Sequence, residues 1–415
     1  VNQPLVRYFS DSIERFLCGG AVLVCLLAGG FPAQGQDDES WREDPYTEGD
    51  RKDMDKAGIV AYAPLAFGDT PTTKDIETAL GDVEVRWVET AHFKIGSTLP
   101  EYRIANDEKD RIGEELGRLR KRLSGVKKTT KVLDPWLRLH LFAQRAEELY
   151  ADIQQRLGVT DDDFPADRES SGKSQEYMGE GPYLGQPGKF LLLLFEKRSG
   201  LGRYGSRFTT FSSDRSLRFT FPTSGSLLFG ATAEKDGDEP KTDTELTCQI
   251  IFNLTHNLVN GFKYYTFDMP CWITEGWAHY NARQVDEEEN NFTMVKEQGS
   301  DITKEWNWSP KVRGRVRNDY FATAEELLTI TDWTKVKFSH HMMMWSRIEY
   351  LFSLKEEDRF GRFVSALKQR TRYATVETED VLARQATLFA EIYEMDFEAF
   401  DKAWTTHVLR HYERD

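Results

Sequence analysis

The residues with the most chemical promise lie in one stretch, positions 248–280, which reads CQIIFNLTHNLVNGFKYYTFDMPCWITEGWAHY. His256 and Glu275 stand nineteen residues apart in it. A zinc hydrolase needs three protein ligands, an open position for water and a base beside that water. Two histidines at i and i+4 of one helix share the metal, and a glutamate after the first supplies the base. His256 and Glu275 suit the second and third ligands, but their companions are replaced. Phe252 occupies the first histidine's position and Asn253 the base's. A phenyl ring has no donor atom, and an amide takes up no proton at neutral pH. None of the eight histidines is followed by Glu, so the pair has not moved elsewhere. Phe252 and Asn253 are therefore read as degenerate positions, and no catalytic residue is expected.

His279 offers a second arrangement. It follows Glu275 by four residues, on the same helical face. His256, Glu275 and His279 then make a rewired ligand set, the one route by which zinc would bind; otherwise no cofactor is expected. Singly, His256 reads as a satisfied core histidine and Glu275 as a first-turn acid favoured by the helix dipole. Two other motifs carry less. Gly200-Leu-Gly-Arg-Tyr-Gly205 matches G-x-G-x-x-G, but polar, strand-like sequence follows it, so a loop is expected and no nucleotide site. His340-His341 precedes Met342, Met343 and Met344, and the helical spacing that follows makes these methionines core residues.

The elements that must position these residues are legible. Val83–Ile95 alternates like a strand, and Phe190–Phe195 (FLLLLF) reads as a buried central strand. Leu217–Phe221 and Leu227–Ala231 read as strands joined at a Pro-Thr-Ser-Gly turn. Asn106–Leu123 has helical spacing, and Asp134-Pro135 caps a helix reaching Leu157. Thr244–Val259 and Trp272–Arg283 are the motif helices. Further helices are expected at Ala324–Leu328, His340–Leu354, Arg359–Gln369, Glu379–Tyr393 and Phe397–Tyr412.

Composition bounds the class. With 39% hydrophobic and 13% aromatic residues, the 415-residue chain can build a real core. A formal net charge of −15 argues against nucleic acid and anionic membrane partners. Arg15, the apolar run Phe16–Phe31 and the small-x-small site Ala33-Gln34-Gly35 read as a cleavable export signal over 1–35. No later run is long enough to span a membrane. The expected organisation is a linker at 36–82, a lobe with sheet and motif helices at 83–284, and a helical lobe at 285–415. After cleavage only Cys248 and Cys271 remain, too far apart along antiparallel helices for a disulfide.

On His256, the nineteen-residue spacing, Pro-x-Trp and E-G-x-A-x-Y, residues from about 84 to 412 resemble the peptidase-MA-like gluzincins of exported bacterial proteins. The specific match is confined to Thr244–Arg283. The resemblance implies an α+β, two-lobed thermolysin-like fold: a mixed sheet and motif helices, then an all-helical C-terminal lobe. Leu227–Ala233 would be the edge strand bordering the cleft. It carries the metal-ligand role onto His256 and Glu275 only. The acidic residue expected four positions after the ligand Glu is His279 here. A downstream Tyr or His often steadies the oxyanion; Tyr320, His340 and His341 are candidates, and nothing selects among them. The implied protein is an exported, non-catalytic gluzincin that binds peptide or protein in a vestigial cleft. The alternatives are a hydrolase on the rewired set and a structural envelope protein whose cleft has no function.

Overall fold

The computed structural model describes residues 39–413, apart from 82, 172–175, 212–214, 236–239, 294–305, 331–332, 355–356 and 370–377. The export segment expected at 1–35 lies outside the described residues. The chain begins with α1 (Arg51–Ala57), β1 (Ala61–Tyr62) and α2 (Thr73–Leu80), then turns through β2 (Arg86–Glu89) and β3 (Phe93–Ser97). A small ladder, β4 (Tyr102–Arg103) with β5 (Val132–Leu133), brackets α3 (Lys109–Leu119) and is followed by α4 (Pro135–Leu157). Next come β6 (Phe190–Phe195), α5 (Arg198–Phe208), β7 (Leu217–Phe221) and β8 (Ser226–Thr232). The motif helices α6 (Asp243–Gly261) and α7 (Cys271–Val285) follow. The remainder is helical: α8 (Trp308–Arg317), α9 (Ala324–Leu328), α10 (Phe338–Ser353), α11 (Glu357–Leu367), α12 (Thr378–Tyr393) and α13 (Phe397–His411). The architecture is thus mixed α+β.

The main sheet runs β1-β2-β3-β6-β8-β7. β3, β6 and β8 are parallel, and the flanking pairs are antiparallel. β6 is buried at all six positions, as a central parallel strand covered on both faces must be. Its even residues, Phe190, Leu192 and Leu194, join the main core with α4 and α6. Its odd residues, Leu191, Leu193 and Phe195, join a second cluster with Ile76 and Leu80 of α2 and Leu201 and Tyr204 of α5. This is the period of two expected across a sheet. The main core runs from Met54 to Tyr412 without a break at 284, so the expected lobes share one apolar interior.

Several expectations change. The linker expected at 36–82 carries structure from residue 39 onward. A reciprocal cap between Thr72 and Asp75 opens α2, and β1 pairs with β2. Asp44, buried, accepts from Tyr62 and approaches His140 of α4 at 2.9 Å. The single strand expected at 83–95 is a hairpin, because Glu147 of α4 holds its turn: it accepts from the His92 backbone (3.0 Å) and from Thr90 Oγ1 (2.5 Å). The edge strand is β7, and β8 lies inside the sheet. The expected loop at 200–205 lies within α5. Gly200 serves packing, since a Cβ there would meet the Phe195 ring at 2.8 Å. The helix α8 had not been expected at all. Cys248 and Cys271 are buried and unbonded to each other, and no helix among the described residues is long and apolar enough to cross a membrane.

The start of α6 is fixed by charge. Thr242 and Glu245 form a reciprocal cap, and Asp243 faces inward, fully buried. Arg145 of α4 reaches Asp243 at 2.7 Å and Glu115 of α3 at 2.5 Å, and donates to Thr247 Oγ1 at 2.9 Å. Arg111 of α3 adds a contact to Asp243 at 3.0 Å. Burial pushes the Asp243 carboxyl up, but the two guanidinium groups outweigh it and hold it down at about 2, below the usual 3.8. A carboxyl lowered in the folded state stabilises fully above its unfolded pKa and loses that contribution as pH falls through the folded value. Removing one partner of such a buried pair costs about 3–5 kcal/mol. Asp243→Asn is therefore expected to lose stability of that order at pH 7. Its denaturant midpoint should also change less than the parent's between about pH 4 and pH 2. An unchanged midpoint at pH 7 would remove the network from the forces that seat α6.

Candidate functional site

Three helices and one edge strand converge on the carboxylate of Glu275. α6 supplies Phe252, Asn253 and His256, α7 supplies Glu275 and His279, α10 supplies His341, and β7 supplies Arg218. The helical period places 252 and 256, and likewise 275 and 279, on single faces. α7 and α10 come together because residue 276 is glycine. A Cβ there would meet the Met344 carbonyl oxygen at 2.6 Å and Ile348 Cγ1 at 2.7 Å.

Phe252, 1% exposed, packs against Ala278 and Ala282 of α7. Its ring centroid lies 5.1 Å from those of both His256 and His279. Apolar bulk thus fills position 252, where the resemblance would place a first ligand. Asn253 is half-buried and donates back to the Gln249 carbonyl at 2.9 Å, a bond within its own helix.

The polar groups gather beyond that ring. His256 Nε2 lies 3.1 Å from Glu275 Oε2, and no well-aligned hydrogen bond reaches that oxygen among the described residues. On the other carboxylate oxygen, Glu275 Oε1, the Thr293 backbone donates at 3.1 Å. His341 Nδ1 stands 3.2 Å from Oε1 and His279 Nε2 stands 3.6 Å from it. The two histidines meet at 3.0 Å, Nε2 to Nδ1. Arg218 donates to Thr293 Oγ1 at 3.2 Å, and that oxygen is 3.4 Å from His256 Nε2. The second guanidinium nitrogen of Arg218, Nη1, is buried with no hydrogen-bond partner among the described residues.

Solvent is excluded: Glu275 and His341 are 0% exposed, His256 1% and His279 2%. Burial pushes the Glu275 carboxyl up, yet the close approach of the His256 and His341 rings, at 3.1 and 3.2 Å, prevails and holds it well below the carboxylate range. Burial, aided by Arg218, depresses His256 to about 4. Burial likewise holds His279 well below the ordinary imidazole value.

The sequence-derived set of His256, Glu275 and His279 is brought together, but not around one point. The donors that come within 4.8 Å of one another are those of Glu275, His279 and His341. His256 stands on the other oxygen. Of the three oxyanion candidates, Tyr320 is 73% exposed on the surface. His340 accepts from the Lys337 backbone at the start of α10, and only His341 enters the cluster. Sequence reasoning also missed Arg218 and Thr293. The His-His dipeptide was the one hint at His341, since on a helix only one of two neighbours faces inward.

The zinc set that the resemblance implies does not fit these residues, because position 252 offers no donor and position 253 no base. Ala at position 276 is expected to overpack the α7–α10 contact and cost about 1–3 kcal/mol. Denaturant melts of Gly276→Ala check this, and parental stability would mean that α10 does not rest on that glycine. Comparison of the chain with protein-family models, with curated proteins and with solved structures finds no match.

Proposed function

We propose that the protein is an exported, non-catalytic domain of gluzincin-like descent whose former active site now serves as a packed junction between its sheet-bearing part and its C-terminal helices. The observation that carries this reading is Phe252. At 1% exposure, against Ala278 and Ala282, it occupies the place of the first metal ligand and closes off His256. Asn253, bonded back to Gln249, adds no base. The order of elements supports the descent: an antiparallel edge strand, an inner strand, two motif helices, then helices to the end. Export rests on the Arg15, Phe16–Phe31 and Ala33-Gln34-Gly35 pattern.

Among the alternatives, a filled apolar site favours a structural role over capture of peptide in an open cleft. A hydrolase also needs an open coordination position that a substrate can reach, and Glu275, His279 and His341 are sealed from solvent. The test is incubation with a mixed peptide library in the presence of zinc, manganese or cobalt, with products read by mass spectrometry. No cleavage above the background of Glu275→Ala is expected. Hydrolysis that disappears in Glu275→Ala would overturn the reading.

A further inference from the structure

We propose that Glu275 Oε1, His279 Nε2 and His341 Nδ1 bind one divalent transition-metal ion, zinc by preference, as a structural staple between α7 and α10. The three atoms form a triangle with edges of 3.2, 3.6 and 3.0 Å. A tetrahedral zinc with bonds of about 2.0–2.1 Å separates its ligands by about 3.3 Å, and the observed edges bracket that value. Two imidazoles and one carboxylate oxygen are a donor set that zinc takes readily, with one water molecule left to complete the tetrahedron.

Counting protons points the same way. Without a metal, a contact between two ring nitrogens needs one N–H between them, and the contact from His341 Nδ1 to the carboxylate needs one on Nδ1. If Nδ1 carries that proton, it is shared between Glu275 Oε1 and His279 Nε2, and neither acceptor gets a full hydrogen bond. If Nδ1 lacks it, nitrogen and oxygen lone pairs face each other at 3.2 Å. Three converging acceptors with one proton to divide suit a cation better than a hydrogen-bond network.

The outer contacts are those that orient ligands: the Thr293 N–H on Oε1 and His256 beside Oε2. The site differs from the ancestral pattern, since α10 replaces α6 as the source of a histidine. It also stands apart from the non-catalytic reading. Metal without hydrolysis leaves both intact, hydrolysis overturns only that reading, and absence of metal overturns only this one.

The experiment uses the full chain, stripped with chelator and titrated with zinc against a chromophoric competitor, then with cobalt for its visible spectrum. One equivalent of zinc is expected at micromolar concentration or below, with a tetrahedral cobalt spectrum. His341→Ala should weaken zinc more than about 100-fold, beyond the cost of losing an outer-shell partner, and abolish the cobalt spectrum. His256→Ala should keep that spectrum and lose no more than about 100-fold. If His341→Ala does not fold, NMR of the cobalt-loaded parent decides, with paramagnetic shifts expected on the His279 and His341 rings. Failure of the parent to bind one equivalent overturns the site. So does equal loss in His256→Ala and His341→Ala, or a shifted ring at His256 with none at His341.

Discussion

A single ionised carboxylate, removed from solvent, sets the terms for the centre of this molecule. An unpaired charge in an apolar interior costs several kcal/mol even after relaxation. Glu275 is tolerated because four separate parts of the chain face it. α6 brings His256, α10 brings His341, the segment after α7 brings the Thr293 N–H, and β7 brings the field of Arg218. His256 and Thr293 lie within twenty residues of Glu275, but Arg218 and His341 do not, so the carboxylate can be satisfied only when sheet, motif helices and C-terminal helices are all in place. That dependence accounts for a core that continues from the sheet into the C-terminal helices.

Side-chain size arranges the rest. At 276 nothing larger than hydrogen fits, because the backbone of α10 occupies the space at Met344. At 252 the opposite holds: a large ring faces Ala278 and Ala282, and small and large residues interlock across α6 and α7. The two sites have opposite effects on the cluster. Phe252 closes the α6 side to any ligand, while Gly276 lets α10 come close enough for His341 to reach the carboxylate.

What could be read from sequence alone follows the range of the forces involved. The cap of α4 at Asp134-Pro135 and the buried run of β6 stand where local pattern puts them, because capping and continuous burial act within a few residues. The turn at 90–92 was hidden because the group that holds it, Glu147, is 55 residues away. The segment from 39 to 82 looked like a linker because its order comes from partners such as His140, 96 residues from Asp44. The helix α5 was masked by its glycines, and the purpose of Gly200 shows only when Phe195 lies against it. In the site, His256, Glu275 and His279 were visible through helical spacing. His341, 62 residues beyond His279, belongs to the group only through tertiary packing.

On the proposed descent, the clamping of α6 accounts for a histidine supplied by α10 instead. At its start, Asp243 is tied to Arg145 and Arg111. At its end, Gln186 donates to the Gly261 carbonyl at 2.6 Å, and Lys368 of the C-terminal helical region donates to the Asn260 carbonyl, also at 2.6 Å. The next turn is held where the Lys263 backbone donates to Leu184 at 2.8 Å. A helix clamped at both ends cannot slide or rotate to present another residue once position 252 carries a phenyl ring. α10 faces Glu275 and His279 across the glycine contact, so a histidine there needs no backbone movement to approach the same carboxylate oxygen. On the proposed descent, loss of a donor on the fixed helix and gain of one on the facing helix would leave Glu275 contacted throughout.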